Sequence, residues 1–285
     1  MVAAVAAVGL TGAGAGAALA IAHGEPVPEG TYRFAVKLTM PDITRPDGTH
    51  YSSACSAALV APDWIISAGH CFHDGARNRI SGPVRYRVVA TVGTAALTSG
   101  RGIDVDVVSV TQAPTGGDVA LARLERPVAG VEPLAVSSTA PGIGDELHLV
   151  GWGWTGVGPK VASTTLQTGT FTVSSVTAGI AGVVGLRPQA DTSACVYDSG
   201  APYVTLADGG PRLVSVESDG PACPHSATET TARVDVLATW IHDTIDAPAP
   251  TETPTPTETP TPSETPTETP SETPGGTGGA AILGG

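Results

Sequence analysis

Residues 194–202 read ACVYDSGAP, and Ser199 in this stretch lies between an aspartate and a glycine. Asp, Ser, Gly and Pro are common turn residues, so the stretch alone is typical of a loop in which the serine has no chemical role. The other interpretation is that Ser199 is a nucleophile. Because a serine hydroxyl is a weak nucleophile near neutral pH, that interpretation requires a base and a third group that orients the base.

The composition indicates an all-β domain. Of the 285 residues only 14% are charged, whereas 36 are glycine and 25 are proline. Short strand-forming stretches recur between turn residues: YRFAVKL, SAALVA, RYRVVATVG, DVDVVSVT, VALARL, ELHLVGWG, TGTFTVSSV, APYVTL and RLVSVE. Many short strands at near-regular spacing predict a sandwich or a barrel. The length suits one large β domain or two small ones, plus the ends.

The two ends of the chain differ from the middle. Residues 1–20 are small and apolar, too short and glycine-rich for a good membrane span, and end in ALA, which fits the A-x-A cleavage pattern. They predict a signal peptide, the alternative being a disordered apolar N-terminus. Residues 248–274 are a Thr/Pro/Glu repeat that favours an extended, unfolded chain. We therefore predict a folded domain over 21–247 and a disordered stalk over 248–285.

Charge and cysteine content limit the partners. The formal net charge is −13, whereas a nucleic-acid-binding surface is basic, so we expect no nucleic-acid partner. The four cysteines predict two disulfides in a secreted chain or a metal site in a cytosolic one. The predicted signal peptide favours the first.

One stretch near the end of the domain has helical periodicity. In RVDVLATWIHDTI, apolar residues recur at the spacing of one helix face: Val234, Leu237, Ala238, Ile241 and Ile245. A single helix is therefore predicted to close the domain.

Two further motifs provide partners for Ser199. WIISAGHCF contains His70 beside Cys71, and GDVALARL contains Asp118 at the head of an apolar run. A lone histidine is usually structural or solvated, and an aspartate before a strand is usually a turn residue. Together, however, the three residues supply a base, an orienting acid and a nucleophile, in the chain order His, Asp, Ser.

These motifs resemble those of the chymotrypsin/trypsin family of secreted serine proteases, and we expect a bacterial trypsin-like type. The similarity extends over residues 21–247. Three family motifs resemble the stretches around the three residues: TAAHC resembles Ser67–Cys71, DIAL resembles Asp118–Leu121, and GDSGGP resembles Tyr197–Pro202. Three more family motifs are also matched: GWG resembles Gly151–Gly153, IVSW resembles Leu213–Val216, and ARV resembles Ala232–Val234.

The resemblance implies a fold and a cysteine pairing. It implies two six-stranded antiparallel β-barrels with a C-terminal helix and an active site between the barrels. It also implies the disulfides Cys55–Cys71 and Cys195–Cys223. The rival is a zinc site built from Cys55, His70, Cys71 and His73. That spacing fits no common zinc pattern, so we expect no metal and no cofactor.

The resemblance also implies the catalytic roles. Ser199 attacks the carbonyl carbon, His70 takes its proton, and Asp118 holds the imidazole. Ser215 resembles the residue that supports the buried aspartate and lines the substrate strand.

The oxyanion hole would consist of the backbone N–H groups of Ser199 and Tyr197. The family has glycine where Tyr197 stands, and glycine permits backbone angles that tyrosine resists. We therefore expect a hole that is weak or that forms only when substrate binds.

Activation in the family pairs a new N-terminal Ile or Val with the aspartate before the nucleophile. The matching residues are Ile21, in IAHGE, and Asp198. Signal cleavage after Ala20 would create this terminus directly. A competing cleavage after Ala22 would remove it, and a third alternative is that Ile21 only ends the apolar segment.

The specificity pocket lacks the trypsin determinant, because Ser193 stands six residues before Ser199. Glu217 and Glu229 instead stand where the family usually has pocket-wall glycines. A carboxylate there pairs with a basic side chain, which predicts cleavage after Lys or Arg with aromatics tolerated. The alternative is that both glutamates point to solvent or narrow the pocket.

The sequence therefore predicts a secreted, monomeric serine endopeptidase that acts on proteins or peptides, has no membrane span, and is displayed at the cell surface by its stalk. One alternative is a catalytically weak or inactive fold that serves as a surface binding module, for which Tyr197 and Ala201 are the motivation. Another is an esterase, but the GxSxG elbow is absent and the chain order differs from that fold.

Overall fold

The computed structural model describes residues 21–114, 116–156, 158–207 and 209–247. The predicted signal peptide and stalk lie outside these residues. The described chain forms two closed six-stranded antiparallel barrels followed by one short helix. This architecture confirms the predicted fold class.

The first barrel is built from the N-terminal half of the domain. Its strands are β2 (Ala35–Thr44), β3 (His50–Ala61), β4 (Trp64–Ser67), β6 (Val89–Val92), β7 (Ile103–Gln112) and β8 (Ala120–Leu124). They pair in the order β6, β2, β3, β4, β8, β7, and pairing of β7 with β6 closes the ring. The two-residue strand β5 (Gly82–Pro83) adds to β7.

The second barrel is built from the C-terminal half. Its strands are β10 (Glu146–Gly151), β11 (Gln167–Val176), β12 (Ile180–Arg187), β13 (Pro202–Ala207), β14 (Gly210–Asp219) and β15 (Glu229–Arg233). They pair in the order β10, β11, β12, β15, β14, β13, and pairing of β13 with β10 closes the ring. Two short strands join its edges: β1 (Glu25–Pro26) pairs with β11, and β9 (Ala135–Val136) pairs in parallel with β14.

Large and small apolar residues share the interior of the first barrel. Ile66 on β4 lies opposite Ala58 on β3 and Leu121 on β8, and all three are fully buried. A small barrel has an interior only wide enough for side chains, so pairing a large residue with a small one fills it without overlap.

The C-terminal helix has the predicted apolar face. A 3₁₀ turn over Asp235–Leu237 leads into α1 (Ala238–Asp246), so regular helix begins later than the periodicity suggests. Leu237 and Ile241 are buried in the same cluster as the residues inside the first barrel, and Ile245 packs against it. Nowhere in the described ranges is a helix long and apolar enough to cross a membrane.

Both expected disulfides are present, Cys55–Cys71 and Cys195–Cys223. The first joins β3 to the turn that carries His70, and the second joins the segment before Ser199 to the segment after β14. Because the sulfurs of Cys55 and Cys71 are bonded to each other, they are not free to bind zinc as thiolates, which removes the basis of the zinc alternative.

Candidate active site

His70 and Asp118 lie together because neighbouring strands of the first barrel lead to them. Ser67 at the end of β4 pairs with Ala120 at the start of β8. The 3₁₀ turn Gly69–Cys71 then places His70 Nδ1 2.7 Å from Asp118 Oδ2. The backbone N–H of His70 also donates to Asp118 Oδ1 at 2.9 Å. The carboxylate thus fixes the ring and the backbone of His70 at once.

Two further groups donate to the Asp118 carboxylate. The Ser218 hydroxyl donates to Oδ2 at 2.6 Å, and Arg79 Nη2 donates to Oδ1 at 2.7 Å. Burial alone would raise the pKa of Asp118, but the hydrogen bond and charge of His70, together with Ser218, outweigh burial and hold that pKa at about 2. Asp118 is therefore ionised at neutral pH.

Ser218 corrects one sequence-based assignment. We expected Ser215 to support the buried aspartate, but Ser215 is buried within the second barrel, where its Oγ accepts from Thr231 Oγ1 at 2.8 Å. Strand β14 continues past Ser215 to Asp219, with a register shift between Glu217 and Asp219, so Ser218 is the residue that reaches Asp118. The serine–x–glycine order of residues 218–220 was a signal that could have identified it.

Ser199 lies in the sharp turn before β13. Gly200 follows it with φ +80°, and a Cβ there would lie 2.0 Å from Ser67 Oγ. Ser199 and His70 line the same cleft of about 650 Å³. Across the described part of the chain, no hydrogen bond joins Ser199 Oγ to His70. Such bonds are often long in sites without substrate and tighten when substrate binds.

Ser56 connects the two barrels at the Tyr197–Gly200 turn, which carries the candidate nucleophile and is called the nucleophile turn below, and the sequence analysis missed Ser56. From β3 of the first barrel, its N–H donates to Ser199 O at 3.0 Å and its hydroxyl donates to Tyr197 O at 3.1 Å. The same hydroxyl accepts from the N–H of Trp152 at 3.0 Å. A serine inside the apolar run ACSAALVA was the available signal, because a buried hydroxyl needs hydrogen-bond partners.

Tyr197 adopts a backbone conformation that favours glycine. Its φ is 78°, in the left-handed region, and its hydroxyl donates to Lys160 O at 3.3 Å. This conformation costs a non-glycine residue about 1–2 kcal/mol. The surrounding contacts therefore impose on tyrosine the angles that we expected it to resist.

Asp198 is a fully buried member of the same turn. Its carboxylate accepts from the N–H of Gly153 at 2.8 Å, of Cys195 at 3.0 Å, and of Ile21. Burial raises its pKa to about 7 despite these donors. A Cβ on Gly153 or Gly151 would lie 2.2 Å from the carboxylate, so this pair of glycines creates the space.

Two of the predicted pocket residues, Glu217 and Glu229, line the cleft. Ser193 is buried, and its Oγ accepts from the N–H of His225 at 3.2 Å. Glu229 is 1% exposed; its Oε1 accepts from the N–H of Ala194 at 2.7 Å and lies 3.3 Å from His225 Nε2. Burial raises the pKa of Glu229 to about 8.

Glu217 does not occupy a pocket-wall glycine position. The three-residue offset that moves the supporting serine to Ser218 places Gly220 there, and a Cβ on Gly220 would lie 1.9 Å from Glu229 Oε2. Glu217 is 3% exposed, and its Oε2 accepts from Tyr203 Oη at 3.0 Å. Burial, with repulsion from Glu229, raises the pKa of Glu217 well above its usual value. Neither glutamate points to solvent.

A double β-barrel with an Asp-bound histidine and a serine in one cleft defines the chymotrypsin-like class. Residues 21–241 match the family model described as Trypsin. The chain belongs to the trypsin family and is by class a serine-type peptidase, a hydrolase.

Individual proteins support the same placement. The chain is 25% identical over 207 residues to serine protease SP24D of Anopheles gambiae, covering 67% of this chain and 72% of that protein. It is 29% identical over 102 residues to snake venom serine protease Haly-2 of Gloydius brevicauda, covering 35% of this chain and 38% of that protein. These two relatives support the family and not the expected bacterial type.

The fold is also similar to that of neuropsin, a serine protease expressed in the limbic system of mouse brain. The TM-score is 0.61 at 22% sequence identity, with 79% of this chain and 100% of that chain covered. At this identity the likeness concerns the fold alone.

The backbone of Tyr197 gives a stability prediction. Tyr197→Gly relieves the left-handed strain, which offsets the greater entropy of glycine in the unfolded chain, so the free energy of unfolding should stay within about 1 kcal/mol of wild type. The control is Val196→Gly, which changes an exposed neighbour with no positive φ and should destabilise by about 1 kcal/mol. Urea denaturation measures both. A larger loss for Tyr197→Gly than for Val196→Gly would contradict the strain argument.

Proposed function

We propose that the protein is a secreted serine endopeptidase that cleaves peptide bonds through an acyl-enzyme on Ser199. The observation that carries this proposal is the His70–Asp118 pair, held by two hydrogen bonds of 2.7 and 2.9 Å in the cleft that Ser199 also lines. Two disulfides fit an oxidising compartment. The same proposal includes that the enzyme acts as a monomer and that the stalk displays the domain at the cell surface.

The reaction proceeds in two transfers. Ser199 Oγ attacks the carbonyl carbon while His70 Nε2 takes its proton, and His70 then gives that proton to the leaving amine. Water repeats the sequence on the acyl-enzyme and releases the acid. Asp118, ionised at neutral pH because its pKa is about 2, stabilises the imidazolium in both steps. The N–H groups of Ser199 and Tyr197 stabilise the oxyanion.

The binding-module alternative rests on Tyr197 and Ala201. Tyr197 has the left-handed backbone, with φ 78°, that glycine would provide, and Ala201 is fully buried rather than facing the cleft. Both observations favour the enzyme over the module, because neither substitution removes a backbone donor from the turn.

The nucleophile assignment is tested with a fluorophosphonate probe. The wild-type protein should label at Ser199, and Ser199→Ala should lose labelling and about a millionfold in kcat without unfolding. Ser138→Ala, at an exposed serine outside the cleft, is the control and should label normally. Turnover retained by Ser199→Ala, or a folded wild-type protein that does not label, would refute the enzyme and favour the binding module.

We further propose that cleavage after Ala20 activates the enzyme. The Ile21 N–H already donates to the buried Asp198 carboxylate, and the Ile21 side chain is fully buried in the second barrel. A free terminus at this nitrogen would be an ammonium that pairs with Asp198 in place of an amide. An unpaired buried charge is costly, so the ion pair would stabilise the nucleophile turn.

The terminus is tested by sequencing the mature protein, which should begin at Ile21. A recombinant protein that begins at Ile21 should be at least about a hundredfold more active than one that begins at His23, because breaking a buried pair costs about 3–5 kcal/mol. Equal activity of the two proteins, or a natural start at His23, would contradict this activation.

For substrate choice we propose a preference for Lys or Arg before the scissile bond. Glu229 lines the cleft with one carboxylate oxygen, Oε2, that has no hydrogen-bond partner within the described residues. An entering cation would supply that partner. Glu217 lines the same cleft, and the buried Ser193 contacts the backbone of His225. Glu229 Oε2 also occupies the space that a side chain at Gly220 would need, because a Cβ there would lie 1.9 Å away.

The preference should depend on pH. Because the pKa of Glu229 is raised to about 8, its carboxyl is mostly neutral below that pH and ionised above it. The ratio of kcat/KM for a lysine substrate to that for its norleucine analogue should therefore rise as pH increases through 8. Glu229→Gln should lower the ratio about ten- to a hundredfold and remove its pH dependence, whereas the exposed Glu25→Gln should change neither. A ratio unaffected by Glu229→Gln would rule out this carboxylate as the determinant.

A further inference from the structure

We propose that Arg79 is a positioning residue of the triad, which holds the Asp118 carboxylate in the orientation that binds the His70 ring. The inference rests on the proposed function, since it assigns His70 as the base. None of the family motifs that the sequence resembles contains a residue in this role.

Arg79 contacts both Asp118 and the residue before it. Its Nη2 lies 2.7 Å from Asp118 Oδ1, and its Nη1 donates to Gly117 O at 3.2 Å. Oδ1 therefore accepts from Arg79 and from the His70 backbone, while Oδ2 accepts from the His70 ring and Ser218. With four donors, the carboxylate has used its hydrogen-bonding capacity and cannot rotate without losing a partner.

A short, well-bonded loop delivers Arg79 to this place. Asp74 turns the chain after His73: its Oδ1 accepts from the N–H groups of Ala76 and Asn78, and its own N–H donates to Asn78 O. The chain returns so that His73 and Arg79 form a β-bridge. The loop therefore fixes the backbone of Arg79, so that pairing with Asp118 needs to order only the side chain.

Gly69 provides the space for the guanidinium. A Cβ there would lie 3.2 Å from Arg79 Nη1, 3.2 Å from Asp118 Oδ1 and 2.5 Å from Gln112 Oε1. The TAAHC motif that residues 67–71 resemble has alanine at this position. Gly69, which departs from that motif, therefore lies next to the guanidinium of Arg79.

The charge of Arg79 acts on the imidazolium that would form on His70 during the reaction. A guanidinium is always positive, so it repels the imidazolium and competes with it for Asp118. The side chain of Arg79 is 39% exposed, so solvent weakens this repulsion without removing it.

Other charged or titratable groups also lie near His70. His73 Nδ1 lies 3.0 Å from His70 O, and burial lowers the pKa of His73, which favours its neutral form. Arg77 and Asp74 lie beside His73 with opposite charges. Asp219, next to Ser218, lines the same cleft. Arg79 is the cation that directly contacts the triad carboxylate.

The test compares the pH dependence of kcat/KM in matched variants. Arg79→Gln keeps a hydrogen-bond donor and removes the charge. The acid limb of the kcat/KM profile should therefore move to a pH about half a unit higher, so that kcat/KM at pH values below the limb falls roughly threefold. Arg79→Lys keeps the charge and should retain the wild-type acid limb. Arg87→Gln is the control, because Arg87 pairs on the surface with Asp106, and it should behave as wild type.

A second readout separates this inference from the proposed function. In Ser199→Ala protein, NMR follows the His70 ring as it titrates, and addition of Arg79→Gln should shift the midpoint upward by the same amount. If that shift occurs but the wild-type protein hydrolyses no peptide, the proposed function fails and the role of Arg79 stands. An unchanged midpoint, or equal losses for the Gln and Lys variants at every pH, would overturn the inference.

Discussion

The Asp118 carboxylate is the group on which the active site depends. One of its oxygens binds the His70 ring, and the other binds the His70 backbone and Arg79. Ser218, which also donates to it, comes from the second barrel, so the carboxylate joins the two barrels as well as orienting the base. A partly buried carboxylate with four donors remains charged and in one orientation, which a base in a cleft requires.

The nucleophile turn depends on a second set of contacts between the barrels. Ser56 bonds to the backbone of Tyr197 and Ser199, and Gly200 approaches Ser67 too closely for any other residue. Both Ser56 and Ser67 belong to the first barrel, whereas the turn belongs to the second. The geometry of the proposed active site is therefore a property of the interface between the two barrels.

Sequence reasoning succeeded where the functional residues lie in short local motifs. The barrels, both disulfides and the helix face follow from local patterns and a family resemblance. The structure brings His70 and Ser199 to one cleft, with Asp118 bonded to His70. Ser215 was wrongly preferred to Ser218 because a short motif match within β14 does not show how far that strand extends. Ser56 and Arg79 could not be assigned roles, because their partners are distant in sequence and meet them only after folding. The strained φ of Tyr197 is likewise imposed by tertiary contacts.

The most direct test of this account is a crystal structure of the protein after reaction with a phosphonate inhibitor. The account predicts phosphorus bonded to Ser199 Oγ, and a phosphonyl oxygen within hydrogen-bond distance of the N–H groups of Tyr197 and Ser199. It also predicts that His70 Nε2 faces the adduct while Nδ1 remains on Asp118. An adduct on another residue, or an imidazole turned away from Ser199 with Asp118 released, would contradict the claim that these three residues act as one unit.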